Sequence, residues 1–248
     1  MKQTRQLMGM PVTLIIEDEA VSPGIFDQAY AYFTAVDEAY SPYKSTSEVS
    51  RINAGLPEAS WSPQMQEVVR LCRETTTVTG GYFDAWHQGK FDPSGLVKGW
   101  AIHGAAKLLL SLGCQNFYVE AGGDIQANGL NTAREPWRIG IRNPFERHEN
   151  VKIVELTTQG IATSGLYIRG EHIYNPLDDT AQLSEVVSLT VIGPNIYEAD
   201  RFATAAFAMG TKGIQFIESH PGLEAYMIDS SKQATLTTGF EKYVRNAE

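Results

Sequence analysis

The 248-residue chain is long enough to bury a substantial core, and its 43% apolar and 20% charged content is that of a globular protein. A net charge of −9 argues against general nucleic-acid binding, which leans on phosphate neutralisation, but leaves room for a phosphate-bearing small ligand held by local groups. No stretch approaches the ~20 apolar residues of a membrane span.

The opening MKQTRQLMGMPVTLIIED has a short apolar run broken by Pro11 and no small-residue cleavage site. It reads as a strand over residues 7–17 rather than a signal peptide, so the expected compartment is the cytoplasm. Residues 24–40, GIFDQAYAYFTAVDEAY, carry apolar side chains at helical spacing. SPYKSTSEVSRINAG is polar and reads as a loop. Residues 62–79 read as a second helix, with Ser62 as cap and Pro63 at the first position. The stretch 80–95 mixes glycines, aromatics and aspartates and reads as an irregular functional loop. Residues 96–112 read as a third helix, stopped by Gly113.

The second half is strand-rich. NFYVEA, WRIGI, VKIVELTT, GIATSG and VVSLTVIG are predicted strands. A small-residue helix over EADRFATAAFAMG follows, then a last helix near 211–219 and a closing hairpin over EAYMIDSSKQATLTTGF. Helices early and strands late predict an α+β fold with a largely antiparallel sheet. No repeat or linker divides the chain, so one domain is expected over 1–248. Cys72 and Cys114 lie outside any C-x-x-C motif and read as buried thiols.

Four segments carry chemistry. FDPSGLVKGWAIHGAAKLL sets Asp92 and Ser94 before a helix start, with Lys98 one turn in. A helix N-terminus offers free N–H groups and a positive dipole end to phosphate, although the same pattern also describes a capped helix with a surface lysine. EAGGDIQANG places two glycines before Asp124, which means a tight turn or a close backbone approach. GIATSGLYIRGEHIYNP gathers Thr163, Ser164, Tyr167, Arg169 and His172, and a strand end so dense in hydroxyls can hold a general base. His87 sits in the aromatic loop and His103 follows the helix start, while His148 and His220 read as surface residues. In EADRFATAAFAMG, Asp200 and Thr204 are one helical turn apart on one face. They are hard oxygen donors of the kind magnesium uses alongside water and phosphate. The competing reading has Asp200 meeting the helix dipole and Thr204 bonding back to the carbonyl at 200.

In this order the segments resemble the ApbE family, the FAD:protein FMN transferases, over nearly the whole chain. LMGMPVTL is similar to the family's opening M-G-T strand, and YSPYKSTSEVSRIN to its S-x-Y-x-x-x-S-E-[LV]-S-R-[FI]-N segment. GGYFDAW resembles G-x-F-D, and FDPSGLVKGWAI resembles D-x-x-G-[IL]-x-K-G-[YW]-A. VEAGGDI is similar to V-N-A-G-G-D-[IV], GIATSGLY to A-[IV]-A-T-S-G-x-Y, and EADRFATAAFAMG to A-D-[AG]-x-A-T-A-x-F-x-M-G.

The resemblance implies an ApbE-like fold with an FAD cleft between its two halves. It implies a magnesium ion held by Asp200, Thr204 and a backbone carbonyl at Gly95, bridging the FAD pyrophosphate. Met8, Tyr43, Phe83, Asp84, Asp92, Lys98 and Tyr174 match flavin-nucleotide contact positions, and His172 matches the base that activates the acceptor hydroxyl. The implied reaction moves FMN from FAD to a Ser or Thr of an acceptor flavoprotein and releases AMP. The family's D-P-R-T-G reads NPLDD here, its aspartate after K-G-Y-A-V is His103, and the asparagine before A-G-G-D is Glu120. The chain reads as a compact member without the export signal common in the family. Two other readings use the same residues: a magnesium-dependent FAD pyrophosphatase, and an FAD-binding protein without catalysis.

Overall fold

A computed structural model describes residues 1–19, 21–146, 148–165, 174–178 and 183–245. Strands β1 (Lys2–Leu7) and β2 (Met10–Ile16) form a hairpin closed by Met8 and Gly9, both at positive φ, as the tightest right-twisted hairpin turns require. The strand expected over 7–17 is β2, which starts at Met10, and β1 precedes it unpredicted. The alternating hydrophobicity of β2 is legible, but the polar β1, KQTRQL, carries no apolar face to mark it.

Helix α1 (Pro23–Tyr40) buries Phe26, Tyr30, Phe33, Val36 and Tyr40, a stripe at helical spacing. The predicted loop at 41–55 contains a short helix, α2 (Glu48–Asn53). Ser47 caps it, accepting from the Ser50 N–H at 3.0 Å, and Val49 and Ile52 are buried. A helix this short is held by tertiary contacts rather than by propensity. Buried Glu48 supplies one, accepting the Ser62 N–H at 2.6 Å and its hydroxyl at 2.7 Å. Ser62 in turn accepts from the Met65 N–H at 3.1 Å and so caps α3 (Pro63–Val78), as the sequence indicates. Strands β3 (Trp86–His87) and β4 (Lys90–Phe91) form a minimal hairpin inside the irregular stretch, and α4 (Ser94–Ser111) follows.

The remaining elements are β5 (Phe117–Ala121), β6 (Asp124–Asn128), β7 (Trp137–Arg142), β8 (Asn150–Leu156), β9 (Gly160–Gly165), β10 (Val186–Gly193), α5 (Ile196–Ala208), α6 (Gly213–Glu218), β11 (Glu224–Asp229) and β12 (Ala234–Leu236). Eight strands make one antiparallel sheet in the order β1-β2-β5-β6-β9-β10-β11-β12. Side chains alternate between its faces. Leu189, Val191, Ala225 and Met227 enter the core shared with α1, α3, α4 and α5. Ile192, Tyr226 and Ile228 join a second cluster with Trp137, Ile139, Val154 and Leu156 of the β7–β8 hairpin. The α+β fold with its largely antiparallel sheet is as expected, and Cys72 and Cys114 are buried free thiols.

Helix α5 is set against the sheet by two devices. The buried Ile196 N–H at its first turn donates to Gln126 Oε1 of β6 at 2.8 Å, and Asn195 accepts from the Glu198 N–H at 3.0 Å. Gly160 of β9 lets the helix start come close: a Cβ there would stand 2.0 Å from the Ile196 nitrogen and 2.3 Å from its Cα. Gly160→Ala is expected to destabilise the fold by about 2 kcal/mol or more, because the obstacle is backbone at both ends. Urea unfolding followed by circular dichroism checks this; an unchanged midpoint would show that α5 can shift at no cost.

Candidate functional site

A cleft of about 640 Å³ opens where the N-terminus of α4, one face of α5, the 82–92 segment and the end of β9 meet. Its lining includes Phe83, Asp84, Asp92, Gly95, Lys98, Tyr174, Asp200 and Thr204, eight of the residues singled out from the sequence. Met8 and Tyr43 are not among the lining residues: Met8 packs against the core at the tip of the first hairpin, and Tyr43 is 92% exposed. His172, with Tyr167 and Arg169, lies outside the described residues.

The 82–92 wall owes its irregular course to local side-chain bonds. Asp84 accepts from the Trp86 N–H at 2.8 Å and Asp92 from the Ser94 N–H at 2.9 Å, each bending the chain two residues on. The Asp92 N–H donates to the Ala85 carbonyl at 2.8 Å, and Asn53 of α2 pairs with Phe91 in both directions, at 2.9 and 2.7 Å. Asn53 therefore latches β4 to α2. Tyr174 donates to the Asp84 carbonyl at 3.0 Å, and its ring lies 3.9 Å from that of His87. Asn53 and His87 were legible only as members of larger segments, because their roles depend on distant partners. The altered NPLDD segment begins with a turn: Asn175 Oδ1 accepts from the Leu177 N–H at 3.0 Å, and the Asn175 carbonyl from the Asp178 N–H at 3.2 Å.

At the inner end of the cleft two buried carboxylates share one ammonium. Asp200 Oδ2 accepts from the Gly99 N–H at 2.8 Å, and Asp200 Oδ1 lies 3.2 Å from Lys98 Nζ. Asp124 Oδ1 accepts from the Thr163 N–H at 3.1 Å, and its Oδ2 is in direct ionic contact with Lys98 Nζ. Burial pushes the Asp200 carboxyl above the usual aspartate range; Lys98 opposes that rise and Asp124 adds to it. Asp124 was visible in the glycine-rich segment, but its partnership with Lys98 spans a helix and a sheet and has no signature in local spacing.

The competing reading of the helix pair has Thr204 bonded back to the carbonyl at 200. Thr75, Thr76 and Thr77 in α3 each donate to the carbonyl four residues back, at 2.8–3.0 Å. Thr204 makes no such bond among the described residues and lines the cleft beside Asp200. The Gly95 backbone is close by: a Cβ on it would lie 3.5 Å from Thr204 Cγ2. No group of three or more His, Cys, Asp or Glu side chains suited to a metal occurs among the described residues. A cation here would depend instead on one carboxylate, a hydroxyl, a main-chain carbonyl and substrate oxygens, a donor set that fits magnesium.

An antiparallel sheet flanked by helices, with a cleft lined by acidic, hydroxyl and lysine groups beside a helix N-terminus, defines an α+β protein with a polar ligand cleft. The sequence model of the ApbE family matches residues 8–88 and 85–227, and the chain belongs to that family. It is 32% identical to the FAD:protein FMN transferase of Salmonella typhimurium over 146 residues, which are 55% of this chain and 42% of the relative. It is 33% identical to that of Vibrio cholerae over 165 residues, 62% of this chain and 49% of the relative. The chain thus spans about half the length of the curated relatives it matches. The fold matches the flavin transferase ApbE from Vibrio cholerae with a TM-score of 0.86 at 24% identity, covering 98% of each chain. It matches the ApbE protein from Thermotoga maritima at 0.89 and 20% identity, covering 99% of each. No described helix is long and apolar enough to cross a membrane.

The approach of α4 to α5 gives a direct test. A Cβ at Gly99 would stand 2.7 Å from Asp200 Cβ and 2.9 Å from both Asp200 Oδ2 and the Ile196 carbonyl. Gly99→Ala is expected to push the helices apart, displace Asp200 and, if the cleft takes the FAD of the relatives' name, weaken FAD binding by roughly tenfold or more. Flavin fluorescence titration beside a melting curve checks this; FAD affinity equal to wild type would show that the contact does not set the site.

Proposed function

We propose that this chain is a magnesium-dependent FAD:protein FMN transferase that moves FMN from FAD to a Ser or Thr hydroxyl of an acceptor flavoprotein and releases AMP. The observation that carries the reading is the convergence of Asp200, Thr204, Gly95 and Lys98 at the start of α4 in one cleft, in a chain of the ApbE family. The activity for which its relatives are named supports it. We read residues 1–248 as one domain, since both apolar clusters share the same sheet. We take the protein to act in the cytoplasm, where its free buried thiols stay reduced.

In this reading the acceptor oxygen attacks the phosphorus on the FMN side of the pyrophosphate. The bond to the bridging oxygen breaks, and AMP leaves with it. His172 takes the acceptor proton, and Lys98 and the N–H groups of the α4 start offset charge on the phosphates. Phe83, Tyr174 and His87 give the nucleotide an aromatic wall, with Asp84 and Asp92 shaping the loop behind it. Met8 and Tyr43 would contact the flavin by family resemblance alone, since neither lines the cleft. Magnesium, held by Asp200, Thr204 and the Gly95 carbonyl, would polarise the phosphoryl centre.

The test combines protein, FAD, magnesium and a peptide bearing Ser/Thr-Gly-Ala-Thr, with mass spectrometry of the peptide and an assay for AMP. A peptide gaining one FMN, with AMP released only when magnesium is present, is the expected result. AMP and free FMN with an unmodified peptide would instead establish a pyrophosphatase, and bound FAD without products a binding protein. Asp200→Ala is expected to abolish turnover, and normal turnover in it would remove Asp200 from the metal site. His172→Ala is expected to slow transfer by roughly 100-fold while FAD binding survives. An unchanged rate would exclude it as the base.

A further inference from the structure

Each of the two buried carboxylates uses its oxygens in the same way: one accepts a backbone N–H, and the other faces Lys98. On Asp200 the N–H of Gly99 holds Oδ2, so Oδ1 is the oxygen left for a cation. That oxygen lies 3.2 Å from the Lys98 ammonium. A divalent ion at Asp200 Oδ1 would stand beside a like charge in a buried site, where repulsion is poorly screened. Lys98 has somewhere else to go. Asp124 Oδ2 already contacts its Nζ, is buried, and has no hydrogen bond of its own among the described residues. Lys98 also sits one turn into α4, whose N-terminus faces the cleft, so a phosphate bound there comes within reach of its flexible stem.

We propose that Lys98 occupies the cation's place on Asp200 until a nucleotide phosphate draws the ammonium toward itself and Asp124, so that nucleotide and divalent cation each promote binding of the other. This rests on the transferase reading for the identity of the nucleotide and on Asp200 as a metal ligand. Asp124 is then a positioning residue: it gives Lys98 a resting place off Asp200 and keeps the ammonium in the site. The coupling is reciprocal by linkage, so FAD tightens the cation by the factor by which the cation tightens FAD.

Mn2+ is the probe, with free Mn2+ read by electron paramagnetic resonance and FAD by flavin fluorescence, and no acceptor present. The informative variant is the double substitution Lys98→Met with Asp124→Asn. It removes one positive and one negative charge, so the net charge of the cluster is that of wild type while Asp200 loses its competitor. Without FAD the double variant is expected to bind Mn2+ roughly tenfold more tightly than wild type. Adding FAD is expected to tighten Mn2+ more in wild type than in the variant. Equal Mn2+ affinities without FAD would overturn the proposal and leave the metal assignment intact. No Mn2+ binding in either protein, with or without FAD, would overturn both. Lys98→Gln with Asp124→Asn keeps the same charge balance and carries the measurement if the methionine variant does not fold.

Discussion

The Lys98 ammonium between Asp124 and Asp200 is the interaction around which the site is built. Two carboxylates at such depth would each cost several kcal/mol to bury alone, and the shared ammonium with two backbone N–H donors offsets that cost. The demand for those partners sets the architecture. Asp200 needs the Gly99 N–H, so α4 must approach α5 to glycine distance. Asp124 needs the Thr163 N–H, so β6 must begin where β9 runs on toward Gly165. A helix pair and a strand pair are thereby locked to one charge cluster, which leaves the cluster rigid enough to define a site and polar enough to be costly without a ligand role.

How much of this was legible depends on the range over which each feature is encoded. Asp200 and Thr204 share a face by helical spacing alone, and the sequence also shows an aspartate and a lysine around the α4 start. Ser62 and Pro63 mark the start of α3 by local capping chemistry. Helix α2 was hidden because its polar sequence SEVSRIN gains its helical state from Glu48 reaching Ser62 and from two buried side chains, neither of which is local. Strand β1 was hidden for a related reason: it is a polar edge strand placed by its pairing with β2 and by Arg5 against Asp27 and Tyr30 of α1. Among the site residues, the Lys98–Asp124 contact joins a helix to a strand and leaves no periodic trace. Asn53 is legible as part of a family segment, but its double bond to Phe91 emerges only in three dimensions.

The departures from the family pattern take on physical meaning in the fold. Glu120 stands where the family has asparagine before A-G-G-D; its Oε1 accepts the Gly123 N–H at 3.0 Å and so closes the turn that delivers Asp124. A carboxylate does there what an amide oxygen can do, and the turn survives the change. Asn175 likewise keeps an acceptor at the head of its turn through the Leu177 N–H. Both substitutions exchange a carboxylate and an amide at a position whose requirement is a hydrogen-bond acceptor. The turns therefore constrain the oxygen, and the charge is free to vary.

The sheet does more than support this arrangement. Its helix-facing side presents Asp124 and Gln126 two residues apart on β6, one bonded through Lys98 to α4 and α5, the other to the first N–H of α5. Gly160 of β9 admits the same helix start. Three neighbouring positions on adjacent strands thus fix the axial position of α5. Because Asp200 and Thr204 lie one and two turns beyond that anchored start, their depth in the cleft follows from the strand register. A one-residue slip of β6 against β9 would turn Asp124 and Gln126 to the opposite face, so the register that satisfies the hydrophobic alternation is the same one that assembles the charge cluster.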